Sequence, residues 1–89
     1  MSRTRTAELV KQAYVAGDPA AAVALLDQSI ALGHRRIALI RYLQAQYLEA
    51  VLDVRHHEYV RGVAARMSSD ALARVVGEAR ARVGRYGRG

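Results

Sequence analysis

Apolar residues along this chain recur every three or four positions rather than in alternation, which is the helical period. Leu9, Val10, Ala13 and Tyr14 form a first stripe and predict a helix from Thr4 or Thr6 to Ala16, with Thr6 as its N-cap and Glu8 near the positive helix end. Gly17, which tolerates a positive φ, closes it. Asp18-Pro19 then opens a second helix, with a carboxylate for an orphan N–H and a proline at the first helical position. That helix carries Ala22, Val23, Leu25, Leu26, Ser29 and Ile30 and stops at Gly33. At the far end, Ser68 or Ser69 caps a last helix with Asp70 in its first turn and Leu72, Val75, Val76, Ala79 and Val83 as its stripe. Strand signals are nearly absent: there is no Phe or Trp, threonine occurs only at Thr4 and Thr6, and no Asn-Gly or Asp-Gly turn is present. The predicted class is all-α, with four to five helices in a small antiparallel bundle.

The stretch from His34 to Met67 is punctuated by Gly62 alone. One unbroken helix there would be about 50 Å long, whereas a compact chain of this length has a radius of gyration of about 12 Å. The pattern therefore predicts either a break around Arg55–Glu58 or a dimer that uses the overhang. Between Ile37 and Val54, Ile37, Leu39, Ile40, Leu43, Tyr47, Leu48, Val51, Leu52 and Val54 cover more than one face, leaving a polar seam at Gln46, Glu49, Asp53 and His57. A helix apolar around most of its circumference is a central one, enclosed by neighbours or by a partner.

Composition narrows the field. With 89 residues, 52% hydrophobic and 25% charged, the chain reads as one folded domain over residues 1–83, followed by a flexible basic tail at 84–89. The absence of cysteine excludes disulfides, thiolate zinc sites and cysteine nucleophiles. No apolar run reaches the roughly 18–20 residues that span a bilayer, and Met1–Thr6 lead into no apolar signal core, so a cytoplasmic, bacterial-type protein without a membrane partner is expected.

The net charge of +6 comes from arginine, which supplies thirteen of the fourteen basic residues. Arg74, Arg80, Arg82, Arg85 and Arg88, with Tyr86 among them, suit phosphate contact and base stacking and mark a nucleic-acid reading. A GC-rich coding sequence produces the same arginine excess, and arginines on a helix exterior are ordinarily a solvated face. A helix-turn-helix across Glu58–Val83 is disfavoured, because the first turns of its second helix offer Asp70, Ala71, Leu72, Ala73 and Arg74 in place of several base-reading polar groups.

Residues 3–34 resemble a single tetratricopeptide-type helical hairpin through Leu9, Ala13, Gly17, Ala22, Leu26 and Ser29, followed by Ile30. Gly17 permits the turn, Ala13 and Ala22 let two backbones approach, and Leu9 and Leu26 fill the gap. The family's tryptophan has no counterpart here, and His34 stands at its consensus proline. A second copy beginning near Ile37 would supply Leu43 and Tyr47, with Val51 in place of the turn glycine and His56 in place of a small residue. The resemblance implies a TPR-like helical array and binding of a peptide or partner helix, with no catalysis.

Glu49, Asp53, His56 and His57 are the one metal-like constellation, since spacings of three and four put Glu49, Asp53 and either His56 or His57 on one helix face. No cysteine or further ligand set supports it apart from His34, and an Asp53–His57 ion pair is the plainer reading, so no metal or other cofactor is expected. Ser29, Ser68 and Ser69 are explained by packing and capping, and no phosphate loop or nucleophile motif occurs. His56 or His57 beside Tyr59 is the one general-base candidate, but so short a chain has little mass to enclose a dry pocket. A non-enzyme without a small-molecule substrate is expected.

Among the tyrosines, Tyr42 and Tyr47 flank the central helix, and with Arg41 and Leu48 they make the candidate partner-binding face. The function these features predict is a small helical adaptor or chaperone-like module that binds a partner helix or peptide and self-associates as a homodimer. The alternative is a basic nucleic-acid-associated protein.

Overall fold

The computed structural model describes the backbone of residues 3–87 and the side chains of residues 5–82. Five α-helices follow in order: α1 (Arg3–Val10), which continues as a π-helical turn over Lys11–Val15, then α2 (Pro19–Ala31), α3 (Arg35–Tyr47), α4 (Val54–Ala65) and α5 (Ser69–Gly87). The fold is all-α, as the hydrophobic period predicts. Among the described residues, no helix is long and apolar enough to cross a membrane.

The first helix starts earlier than its threonines suggest. Thr6 lies inside α1 rather than capping it, and its Oγ1 accepts a hydrogen bond from Gln28 Nε2 of α2 at 3.0 Å. The π turn is marked by the Ala16 N–H reaching back five residues to the Lys11 carbonyl at 3.0 Å. Ala13 and Tyr14 are the buried residues of that turn. Asp18 and Pro19 start α2 as expected, with Asp18 Oδ1 accepting from the Ala20 N–H at 3.0 Å.

The first four helices are joined by three turns that each hold a residue in the left-handed region: Gly17 at φ +74°, Gly33 at φ +74° and Glu49 at φ +57°. The third turn replaces the break expected at Arg55–Glu58. The helix ends at Tyr47, residues 48–53 form a connection, and Arg55–Glu58 lie within α4. Two features place the break there. Leu48, Ala50 and Leu52 turn inward onto the first part of the core, which a continuing helix would swing away, and Asp53 begins a new helix. Val51 and Val54 thus leave the central helix altogether and stand in solvent.

α3 still occupies the centre, packed against α2, α4 and α5. Its buried face is Ala38, Leu39, Ile40, Gln44 and Ala45, narrower than the all-round apolar surface read from the sequence. Two clusters make the core. One joins Leu9, Ala13, Tyr14, Ala21, Ala22, Leu25 and Ala45, and the other joins Leu39, Ile40, Val60, Val63, Val75 and Ala79. The radius of gyration is 12.3 Å, close to the expectation for a compact chain.

Ser68 caps α5, its Oγ accepting from the Ala71 N–H at 3.1 Å. Of the expected tail at 84–89, residues as far as Gly87 continue α5, while Arg88, Gly89 and the side chains from Val83 onward lie outside the described residues.

Candidate functional site

A polar assembly sits where α4 begins. Asp53 precedes α4, and its backbone N–H donates to His56 Nδ1 at 2.9 Å, the side-chain-to-cap half of a capping box. That bond makes Nδ1 an acceptor, so the proton of the neutral ring is on Nε2, which donates to Asp27 Oδ1 of α2 at 2.7 Å. Arg55 Nη1 reaches the same oxygen at 3.0 Å. Partial burial pushes the Asp27 carboxyl up, but the hydrogen bonds from Arg55 and His56 and the charge of Arg55 outweigh it and hold the group below its ordinary value. His56 is fully buried, with both ring nitrogens engaged, and the geometry leaves it no free nitrogen with which to take a proton from a substrate.

The metal-like set therefore separates in three directions. His56 points to Asp27, His57 Nδ1 meets the Tyr42 hydroxyl at 2.7 Å, and Glu49 stands exposed in the turn. The Asp53–His57 ion pair is replaced: the Asp53 carboxylate lies 3.3 Å from Arg55 Nε. Among the described residues, no three metal-ligating side chains converge.

The four residues of the expected partner face also have distinct surroundings. Arg41 turns toward the first cluster, where Nη1 donates to the Tyr14 hydroxyl at 3.3 Å and the guanidinium carbon lies 5.6 Å from the Tyr14 ring centroid. Burial pushes the Tyr14 phenol above its ordinary value, against the opposing pull of Arg41 and, more weakly, Arg82. Tyr42 turns the other way, edge-on to His57, and accepts from Gln46 Nε2 at 3.3 Å. Leu48 is half-buried on the first cluster. Tyr47, 40% exposed at the end of α3, is the one of the four that keeps an exposed side chain.

Beyond the turn at Leu48 and Glu49, residues 50–53 have no regular secondary structure, and their side chains alternate in burial. Ala50 and Leu52 pack inward, while Val51 is 90% exposed. Val54, which opens α4, is 71% exposed. Val51 forms one wall of an open cleft of about 480 Å3, the others being Asp18, Pro19, Ala20 and Val23 at the start of α2. Apolar pattern alone assigns Val51 and Val54 to the core. Glu49 in a left-handed turn is the local feature that removes them from it, and its residue type carries no signal for that conformation.

The candidate nucleic-acid residues divide as well. Arg82 is engaged with Glu78 at 2.7 Å, and Glu78 also holds Arg36 at 2.9 Å. Arg74 and Arg80 are exposed, but six residues on one helix set them about 120° apart around its axis. Arg85, Tyr86 and Arg88 lie outside the described side chains. α4 and α5 both pack on α3. No family model, curated protein or solved structure matches the chain.

Proposed function

We propose that this chain is a small helical interaction module that docks another polypeptide at the α3–α4 connection. The observation that carries the reading is Val51, an aliphatic side chain held almost wholly in solvent beside an apolar cleft, with Val54 and Tyr47 close to it along the chain. Single exposed aliphatic residues are common, but an apolar projection next to an apolar recess offers a partner both a knob and a hole. The hairpin resemblance of residues 3–34 implies the same class of role, and its residues Leu9, Ala13, Ala22, Leu26 and Ser29 are buried as such a hairpin requires.

Co-purification from the native cell, with and without nuclease, tests the reading. The native chain should retain a polypeptide partner in both conditions, and the V51D/V54D double variant should lose it while melting at the native temperature. Retention unchanged by the double variant overturns the docking site. Complete release by nuclease instead favours the nucleic-acid alternative.

A further inference from the structure

We infer that a second copy of this chain is the polypeptide that docks at the α3–α4 connection, seated head-to-tail in an arginine-rimmed cleft at the opposite end of α3; this rests on the docking role proposed above for the connection. The cleft lies where the start of α3 meets the end of α4 and the start of α5. Two adjoining recesses of about 310 Å3 and about 190 Å3 share Arg35, Val63 and Arg66. Met67 and Ala71 extend the apolar floor on one side, and Tyr59 on the other.

The charges at this end are unbalanced. Arg36 is paired with Glu78, but Arg35 and Arg66 have no carboxylate within ion-pair distance among the described residues. Asp70, next to Ala71 in sequence, pairs with neither of them. Two cations over an apolar floor call for a ligand that is apolar at its centre and acidic at its edges.

The chain itself presents such a segment. Glu49-Ala50-Val51-Leu52-Asp53-Val54 turns Ala50 and Leu52 inward and leaves Val51 and Val54 outward. Glu49 and Asp53 flank Val51, both exposed, so two acids meet two unpaired arginines and an aliphatic projection meets an apolar recess. The Asp53–Arg55 contact at 3.3 Å is an exposed pair that is readily shared. The thirteen residues of α3 hold the cleft and the connection about 20 Å apart, so a chain cannot fill its own cleft. Joining the two surfaces requires different copies and produces a heterologous contact that propagates into a ring or a filament.

Two double variants of the full chain separate the halves of the contact: R35E/R66E removes the cleft and V51D/V54D removes the projection. All four positions are exposed, and matched thermal melts show whether each variant is folded. In sedimentation velocity from micromolar to millimolar concentration, the native chain should assemble, and less so at high salt. Each double variant should weaken that assembly by about tenfold or more, the scale of two exposed ion pairs or one aliphatic anchor. Mixed together, the two variants should form a 1:1 complex that grows no further, because each supplies the half the other lacks.

A native chain that stays monomeric across the range overturns the inference, as does an R35E/R66E variant that still self-associates through paired connections. A mixture that remains monomeric overturns it too, as does assembly that appears only with bound nucleic acid. If the native chain is monomeric while V51D/V54D still abolishes capture of another protein, head-to-tail assembly fails and the docking site stands. If capture is indifferent to V51D/V54D, the docking site itself fails.

Discussion

The cluster around Leu9, Tyr14, Leu25 and Ala45 and the attachment of α4 are two different ways of holding a helix in place. In the first, Ala13, Ala22 and Ala45 are fully buried and bring three helices close enough for Leu9, Tyr14 and Leu25 to fill the space between them. In the second, α4 buries only Val60 and Val63 as apolar anchors, and its first turn is fastened by His56 and Arg55 to Asp27 and by His57 to Tyr42. Burial of apolar area is non-directional, so its strength grows with the volume filled. Hydrogen bonds to buried groups are directional, and their strength depends on every partner being present.

Truncating Leu25 tests the first mode where it is strongest. Leu25→Ala removes a fully buried side chain flanked by alanines that cannot grow into the space, and should cost about 3 kcal/mol in urea unfolding. The loss should be global, with amide protection falling in α1, α2 and α3 together. Equal protection loss confined to α2 would show that the alanine-lined contacts do not cooperate.

His56→Ala tests the second mode. It deletes the Asp53 cap bond and one of the two partners of Asp27, and should cost about 2 kcal/mol. Hydrogen exchange should reveal an added local opening in the first turns of α4, where protection falls further than in α1 and α2. An equal loss throughout would mean that α4 is no more separable than the rest.

Charge adds a further distinction, because only the polar attachment titrates in the acid range. The Asp27 carboxyl binds its proton less readily in the folded chain than in the unfolded one. Its contribution is therefore present in full above the ordinary carboxylate value and is lost as pH falls toward the lower folded value. Asp27→Asn should flatten the acid limb of the stability profile, with little change in slope above that range. Leu25→Ala should lower the whole profile without changing its shape. An unaltered acid limb in Asp27→Asn would remove Asp27 from the account of α4.

The first mode was largely legible in the sequence and the second was not, for a physical reason. Leu9, Ala13, Ala22, Leu25 and Leu26 repeat at helical spacing, and Gly17, Asp18-Pro19 and Gly33 mark their own turns, so each signal lies within a few residues of the structure it specifies. Asp27 and His56 are 29 residues apart, and nothing local distinguishes a buried histidine that accepts from its own cap from one available to a metal. The apolar pattern places Val51 and Val54 on a central helix because the connection that exposes them contains neither glycine nor proline.

Gln44 is a polar intrusion into the alanine-lined side, which makes it a finer test of the same contrast. Its amide is fully buried, Oε1 receives only a long 3.5 Å contact from Arg41, and Nε2 has no partner among the described residues. Gln44→Leu removes that desolvated group at similar volume and should stabilise the fold by about 1 kcal/mol. A destabilised variant would instead show that Gln44 fixes the positions of Arg41 and Tyr14.

The smallest expected effect concerns the three turns. Gly17, Gly33 and Glu49 recur sixteen residues apart, each in the left-handed region, and only the third carries a side chain there. Left-handed backbone costs a residue with a Cβ roughly 1–2 kcal/mol, while glycine forfeits roughly half to one kcal/mol of unfolded-state entropy. Glu49→Gly should therefore gain about 0.5 kcal/mol, read from thermal melts at concentrations dilute enough that contacts between copies do not contribute. Glu49→Ala retains the Cβ, so it should gain nothing and serves as the control for loss of the carboxylate. If both variants gain equally, charge rather than backbone strain is what Glu49 contributes to the connection. If only the glycine variant gains, Glu49 is retained against its conformational cost, which is expected of a residue whose carboxylate is used outside its own fold.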